Sequence, residues 1–304
     1  MKTTRALIPI FLLLTNALKS MAIEIRPIET EDEYRAVEQL QREIWGAQDI
    51  EIVAHEMLMT AHKNGGVMLG AFDREKLIGF VFGFVGLTPD GRVKHCSHMA
   101  GVAADYRDQN VGYALKLKQR AQALAQGIEL ITWTFDPLES RNARFNFHKL
   151  GGVCNTYLRN FYGAMRDTLN AGLPSDRFQV DWRIASSRVE SRLRGALTSA
   201  SLADLLAEDV RLINPPGAGR FLRPVEKILS LEGARAIIQI PSDFQGLKAA
   251  DRDLALAWRL HTRELFEEAF AKGYVVTDLL VENGQAFYHL ERNAPAYVSE
   301  ENVE

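Results

Sequence analysis

Val102-Ala103-Ala104-Asp105-Tyr106-Arg107-Asp108-Gln109-Asn110-Val111-Gly112-Tyr113-Ala114-Leu115 is the stretch on which the reading of this chain turns. The apolar run Val93–Val102 ends in it, a short polar loop follows, and a helix opens at Asn110. The helix runs to about Gln126, with Leu115, Leu117, Ala121 and Leu124 as its apolar face, and Gly127 stops it. Asn110 and Gly112 are residue types that tolerate left-handed backbone. A turn built on them aims successive N–H groups at one point. The positive end of the helix adds to this, giving an anion site suited to a pyrophosphate. A Cβ at position 112 would occupy the ligand's space.

Upstream, Ile23–Ile28 alternates like a strand, and Thr30-Glu31-Asp32-Glu33 reads as the capping box of a helix to about Ile44. Val67–Phe72 and Leu77–Val85 read as strands joined by a turn at Asp73–Lys76. Downstream come a strand at Ile128–Phe135 and a helix at Asn142–Leu150 closed by Gly151-Gly152. Further strands are expected at 157–162 and 178–184. This order implies an α/β layer arrangement with a partly parallel sheet.

The two stretches resemble the GNAT superfamily of acyl-CoA N-acyltransferases. Its cofactor signature, Arg/Gln-x-x-Gly-x-Gly/Ala, is matched by Arg107, Val111, Gly112, Ala114 and Leu115, with Asn110 in place of the first glycine. Asn142 to Gly151, an Asn-led helix ending in aromatic-x-Lys-Leu-Gly, looks like the second signature. The resemblance covers residues 22–187 and implies a mixed central sheet with helices on both faces. Residues 188–304 are expected to form a C-terminal α+β accessory region packed on that core, as in a poorly characterised subgroup.

The resemblance further implies transfer of an acyl group, most simply from acetyl-CoA, to a primary amine by direct attack, with no metal. The pantetheine arm would pair with Met99 to Val102. The pyrophosphate would sit on Gln109, Asn110, Val111, Gly112, Tyr113 and Ala114, beside Arg107, and Asn142 would bond the pantetheine or cap its helix. His98 is the candidate base. Strict alternation places His98 with Cys96 and Val102 on one face and His95 with Ser97 and Met99 on the other. Two ligands on opposite faces cannot converge on a metal. The family's acidic Tyr is Phe147 here, which leaves the thiolate's proton to Tyr157, Tyr162, His148 or water. That substitution and Asn110 support the alternative of a non-catalytic acyl-CoA-binding or regulatory protein on the same scaffold.

The remaining sequence sets bounds. The 304 residues carry 36 Lys and Arg against 39 Asp and Glu, a net charge of -3 that gives no global attraction to nucleic acid. Cys96 and Cys154 form neither a disulfide framework nor a zinc spacing and read as reduced thiols; Cys96 is a weak nucleophile candidate. Residues 1–21 carry Lys2 and Arg5 before an apolar run. They read as a start assigned too far upstream, a signal-like segment or an anchor, though the run is short for a span. A cytoplasmic protein without stable membrane association is expected, acting on a small-molecule or peptide amine, and a homodimer is compatible with this.

Beyond Ser187, a helix is expected over 191–207 and a loop over 214–219, and the run Arg188, Arg192 and Arg194 reads as a solvated helix face. A strand is expected at 234–240 and a long amphipathic helix at 251–272. Asn283-Gly284 should turn a hairpin between 275–281 and 286–290, and 299–304 should fray. Trp133, Trp182 and Trp258 read as core or interface rather than as substrate readers, and Trp45 as a shaper of an acceptor pocket. The stretches 102–107 and 240–245 each precede a helix and a strand and form a weak internal echo.

Overall fold

A computed structural model describes residues 23–46, 49–163, 172–217, 221–225 and 229–294. The expectations for 1–21, 218–219 and 299–304 lie outside the described residues. The chain divides into two compact units, 1–132 and 133–304, so the sequence boundary expected at 187/188 falls inside the second.

In the first unit, β1 (Ile23–Pro27), β2 (Val67–Asp73), β3 (Lys76–Leu87) and β4 (Val93–Val102) pair antiparallel in that order. β4 then runs parallel to the start of β5 (Leu130–Phe135) through His95↔Ile131 and Cys96↔Thr132. Helices α1 (Glu31–Trp45) and α2 (His55–Lys63) lie on one face, and α3 (Val111–Ala125) on the other. Alternation within β2 explains this: Val67, Leu69 and Ala71 meet Val111, Ala114 and Leu115 of α3. Met68 and Phe72 join Phe80 and Phe82 against Tyr34, Val37, Leu40 and Leu58. The expected capping box holds α1, with Glu33 N donating to Thr30 Oγ1 (3.3 Å) and Thr30 N to Glu33 Oε2 (3.2 Å). Helix α2 was not legible as a helix; its first N–H is satisfied by Glu38 Oε1 (2.6 Å) from α1.

In the second unit the strand order is β7 (Arg177–Arg183), β6 (Val153–Leu158), β10 (Tyr274–Glu282), β11 (Gln285–Arg292), β9 (Arg235–Ile240) and β8 (Arg211–Leu212). The pairs are antiparallel except β8 with β9. One core joins residues before and after 187: Phe135, Phe147, Cys154 and Phe178 pack with Ile238, Trp258, Phe266 and Tyr288. Phe178 is its hub, 4.7 Å from the Phe266 ring centroid and 5.6 Å from that of Tyr288. Trp182 and Trp258 are fully buried, as expected. Asn283 and Gly284 both have positive φ (50° and 74°), the conformation of the two-residue hairpin turn.

Several expectations for this unit are corrected. The helix read from Asn142 begins at Ser140 as α4 (Ser140–Ala143) and widens to a π-helical turn, Arg144–Lys149. Glu139 is therefore its N-cap, and the exposed Asn142 caps nothing. The strand read over 157–162 is β6, so Tyr157 lies near its end and Tyr162 in the following turn. The single helix over 191–207 is two, α5 (Ser187–Leu193) and α6 (Leu202–Ala207); the latter has its own Ser201–Asp204 capping box. Arg188 and Arg192 are half-buried rather than solvated. Arg188 Nη2 donates to Thr277 O (2.5 Å) and Arg192 Nη2 to Asp278 Oδ2 (2.9 Å), while Arg194 is exposed as expected. A short helix, α7 (Phe244–Ala250), precedes the long amphipathic α8 (Arg252–Ala271), which Asp251 caps. The internal echo stops at topology: Asp108 and Asn110 are left-handed in the first unit, whereas no residue between 241 and 251 has positive φ.

Candidate functional site

The first unit gathers most of the residues singled out. Between β4 and α3, Asp108 (φ 63°) and Asn110 (φ 60°) are both left-handed on either side of Gln109. Such a run turns successive N–H groups toward one concave side. Tyr106 Oη donates to Asp73 Oδ2 (2.7 Å) and ties the loop to β2, while Gln109 Nε2 donates to Asp105 O (2.9 Å). Arg107 Nε donates to Val102 O (3.3 Å), holding an exposed guanidinium at the end of β4.

Helix α3 starts without a side-chain cap and without an acidic residue in its first turn. Its first intrahelical bond runs from Ala114 N to Asn110 O (3.0 Å), so the N–H groups of Val111, Gly112 and Tyr113 precede the ladder. Most helices fill this place with Ser, Thr or Asp, or a first-turn carboxylate. Here three donors and the positive helix end remain for an external anion. Gly112 belongs to the same arrangement. Its φ is not positive, and a Cβ built there would meet only Val102 Cγ2 at 3.7 Å, ordinary contact. Packing within the protein therefore does not require glycine, although glycine in a helix costs about 1 kcal/mol relative to Ala.

Strand β4 departs from the expected alternation. Its register against β3 shifts between Phe82↔Met99 and Gly83↔Ser97, leaving His98 as the extra residue of a β-bulge. His95 and Ser97 face α3, and so does Val102, but Met99 now packs with Phe82 on the opposite face. His98 shares the Phe82 face, so its expected companionship with Val102 fails because a bulge reverses the sides of everything after it. His98 is exposed, with the rings of Phe82 (centroids 6.1 Å, edge-on) and Phe84 (6.0 Å, tilted) beside it. Partial burial lowers its pKa from 6.5, which favours the neutral imidazole. On the same face Trp45 stands edge-on to Phe80 (5.9 Å) and rests on Gly101, where a Cβ would approach Ile44 Cδ1 to 2.7 Å. Cys96 is half-buried and unbridged.

The remaining candidates lie in the second unit. Tyr157 donates its phenolic proton to Asp176 Oδ2 (2.7 Å), and Asp176 is itself clasped by Arg263 through two bonds of 2.8 and 2.9 Å. Burial, then the Asp176 charge, pushes the Tyr157 pKa far up. A phenol so held is a poor proton donor to a thiolate, and Tyr157 is a structural residue. Tyr157→Phe should cost about 1–3 kcal/mol in urea unfolding by leaving a buried acceptor short of a donor. Tyr162 is exposed, 2.8 Å from Thr134 Oγ1, with the Arg177 guanidinium 5.4 Å from its ring centroid. Phe147 is fully buried against Phe135 and Tyr288. His148 Nδ1 lies 3.2 Å from both Asp278 Oδ1 and Ser199 Oγ.

The sequence reading passed over Lys116, Ser97 and Gln119, which meet His95 in a buried cluster between α3 and β4. It also passed over a His and carboxylate group. Glu38, His55 and Glu56 hold ligand-type atoms within 4.8 Å of one another, with His55 Nδ1 hydrogen-bonded to Glu38 Oε1 (2.9 Å) and 3.2 Å from Glu56 Oε2. Among the described residues, no helix is long and apolar enough to cross a membrane.

No family model matches the chain, and no curated protein matches it in sequence. Among solved structures it is similar to a protein of Desulfovibrio desulfuricans described as an acetyltransferase of the GNAT family. That match has 19% identity and a TM-score of 0.44, over 54% of this chain and 100% of the other. It is also similar to Arabidopsis thaliana Naa50 in complex with a bisubstrate analogue, at 15% identity and a TM-score of 0.43, over 53% and 97% of the two chains. A third is the acetyltransferase of the GNAT family from Streptococcus pneumoniae, at 17% identity and a TM-score of 0.43, over 52% and 98%.

Proposed function

We propose that the chain is an acyl-CoA-dependent N-acyltransferase, most simply an N-acetyltransferase, acting on a primary amine of a small molecule or peptide. The observation that carries this reading is the start of α3. Three ladder-free N–H groups, two left-handed residues before them and a glycine that packing does not demand form a cradle for a pyrophosphate. Arg107 stands beside it for further phosphate charge. Among the described residues of the first unit, the β5-side edge of β4 beyond Cys96 has no partner strand, which suits pairing with the amides of a pantetheine arm from Met99 to Val102.

His98 supplies the complementary chemistry. As a neutral imidazole it takes a proton from the acceptor ammonium, and the freed amine attacks the thioester carbonyl. The C–N bond forms and the C–S bond breaks; the attacking nitrogen gives up its second proton and the departing thiolate gains one, relayed through water. The protein's own donors, the β4 backbone N–H groups around the bulge, stabilise the tetrahedral oxyanion. A cytoplasmic setting follows from the supply of acyl-CoA.

One observation favours a second reading: Phe147 fills the place of the usual acid and is sealed in a core. A protein that binds acyl-CoA for regulation would need no acid. Calorimetry with acetyl-CoA and longer acyl-CoAs, followed by thiol release against a panel of amines, separates the two. Binding with thiol release supports transfer, binding without release supports the regulatory reading, and absence of binding removes both.

A further inference from the structure

Behind the β4 bulge, on the α3 side, four polar side chains share a pocket that apolar residues could fill. Lys116 is only 3% exposed, and its Nζ donates to Ser97 Oγ (3.0 Å) and Gln119 Oε1 (2.7 Å). Ser97 Oγ also donates to Gln119 Oε1 (3.1 Å). With its oxygen accepting from both, Gln119 turns its amide N–H toward His95 Nε2 (3.1 Å). His95 thus carries its proton on Nδ1, which is buried without a partner.

The placement of this cluster is specific. Gly112, Lys116 and Gln119 fall at i, i+4 and i+7, one stripe of α3 running from the anion cradle inward. His95 and Ser97 are the last α3-facing residues before the extra residue of the bulge. The hydrogen bonds therefore fasten residue 97 to α3 at the point where the chain must turn His98 to the other side. Methionine or leucine at 116 would fill the same volume without removing an amine from water, so a polar network here is costly unless it fixes geometry.

We propose that Lys116 is a positioning residue for the acyl transfer described above: acting through Ser97, it holds the β4 bulge in the register that presents His98. This inference rests on the transferase reading. The proton on its amine is part of the device. As ammonium, Nζ is a pure donor to Ser97 and Gln119; as amine, it can accept the Ser97 hydroxyl proton and release the Ser97–Gln119 bond. Burial brings the Lys116 pKa down to about 7, so this exchange occurs at neutral pH. The titratable group that meets it from β4 is His95; on its own helix Tyr113 and Arg120 stand three residues before and four after it. The strands β2 and β3 present apolar Val67, Leu69, Ala71, Ile78 and Val81. His95, with a pKa lowered to about 4 by burial and by Lys116, stays neutral throughout.

The test compares the full-length chain with Lys116→Met and Ser97→Ala. In the unmodified protein, stability should rise between about pH 7 and 10.5, because the unfolded lysine holds a proton that the folded one has released. That rise should vanish in Lys116→Met, which should be at least as stable at pH 7. Its kcat should fall roughly 10-fold to 100-fold through misplacement of the base, with KM and calorimetric affinity for acetyl-CoA within about twofold. The bend of the pH–rate profile near 7 should disappear while the lower bend from His98 remains. Ser97→Ala, which cuts the link without altering the lysine, should lower kcat in the same way and decides the matter if Lys116→Met does not fold. A folded variant with unaltered kcat and pH profile overturns the inference and leaves Lys116 a packing residue. An unmodified protein that binds acetyl-CoA yet releases no thiol with any amine instead removes the transferase reading on which the inference depends.

Discussion

Gly112→Asp is expected to remove acyl-CoA binding from a protein that still folds. Position 112 lies in the first turn of α3, where three N–H groups precede the helical ladder and no side chain caps them. An aspartate there places a carboxylate on those donors, mimicking the ligand's charge, and projects its side chain into the ligand's volume. Affinity for acetyl-CoA, read by calorimetry, should fall at least about 100-fold, or ~2.8 kcal/mol. The fold should tolerate the change, since a Cβ at 112 meets only Val102 Cγ2 at 3.7 Å. An acidic residue near a helix N-terminus is favourable by about 0.3–1 kcal/mol. The companion variant Gly112→Ala separates charge from bulk: it should raise stability by up to about 1 kcal/mol through helix propensity while weakening acetyl-CoA binding less than Asp does. Retained affinity in folded Gly112→Asp would place the anion elsewhere.

His98→Ala should lower turnover by about 10²- to 10⁴-fold, the range for loss of a general base, with acetyl-CoA affinity little changed. The sign of the pH dependence follows from the pKa shift. Partial burial beside Phe82 and Phe84 lowers the His98 pKa below 6.5, so the basic form grows as pH rises through the shifted pKa and predominates at neutral pH. The rate should bend below pH 6.5 and be flat above it as far as this group is concerned; the variant should lose that bend. His95→Ala should behave differently. It empties a fully buried site and costs stability, so activity should follow the folded fraction. Stopped-assay turnover and thermal melting measured on the same two variants distinguish these outcomes.

The legibility of the chain was uneven for physical reasons. Local signals carried far: the Thr30–Glu33 capping box, the left-handed Asn110 and the Asn283-Gly284 turn are each encoded by two or three adjacent residues. What depended on tertiary context was hidden. Alternation along β4 was readable, but the inserted residue at His98 is a matter of register against β3, which one strand's sequence does not contain. The apolar face read for α3 used Leu117 and Ala121. In the structure Ala121 is exposed, Leu117 is half-buried, and the helix turns Lys116 and Gln119 inward instead. A buried lysine runs against every hydropathy pattern, so the cluster behind the bulge left no sequence signal. Helix α2 was missed because it buries only His55 and Leu58, too few positions to mark a period.

Gly83 and His95 form a knob and its socket across the β3–β4 pair. A Cβ at 83 would collide with His95 Nε2 and come within 2.6 Å of the Cys96 carbonyl oxygen. The imidazole is one wall of the socket and the backbone of β4 is the other, so the two positions are not equally free over evolutionary time. Residue 95 can shrink without touching Gly83, but a methyl group at 83 still meets the Cys96 carbonyl whatever stands at 95. In a saturation library covering both positions, glycine should persist at 83 under selection for folding even where residue 95 is small.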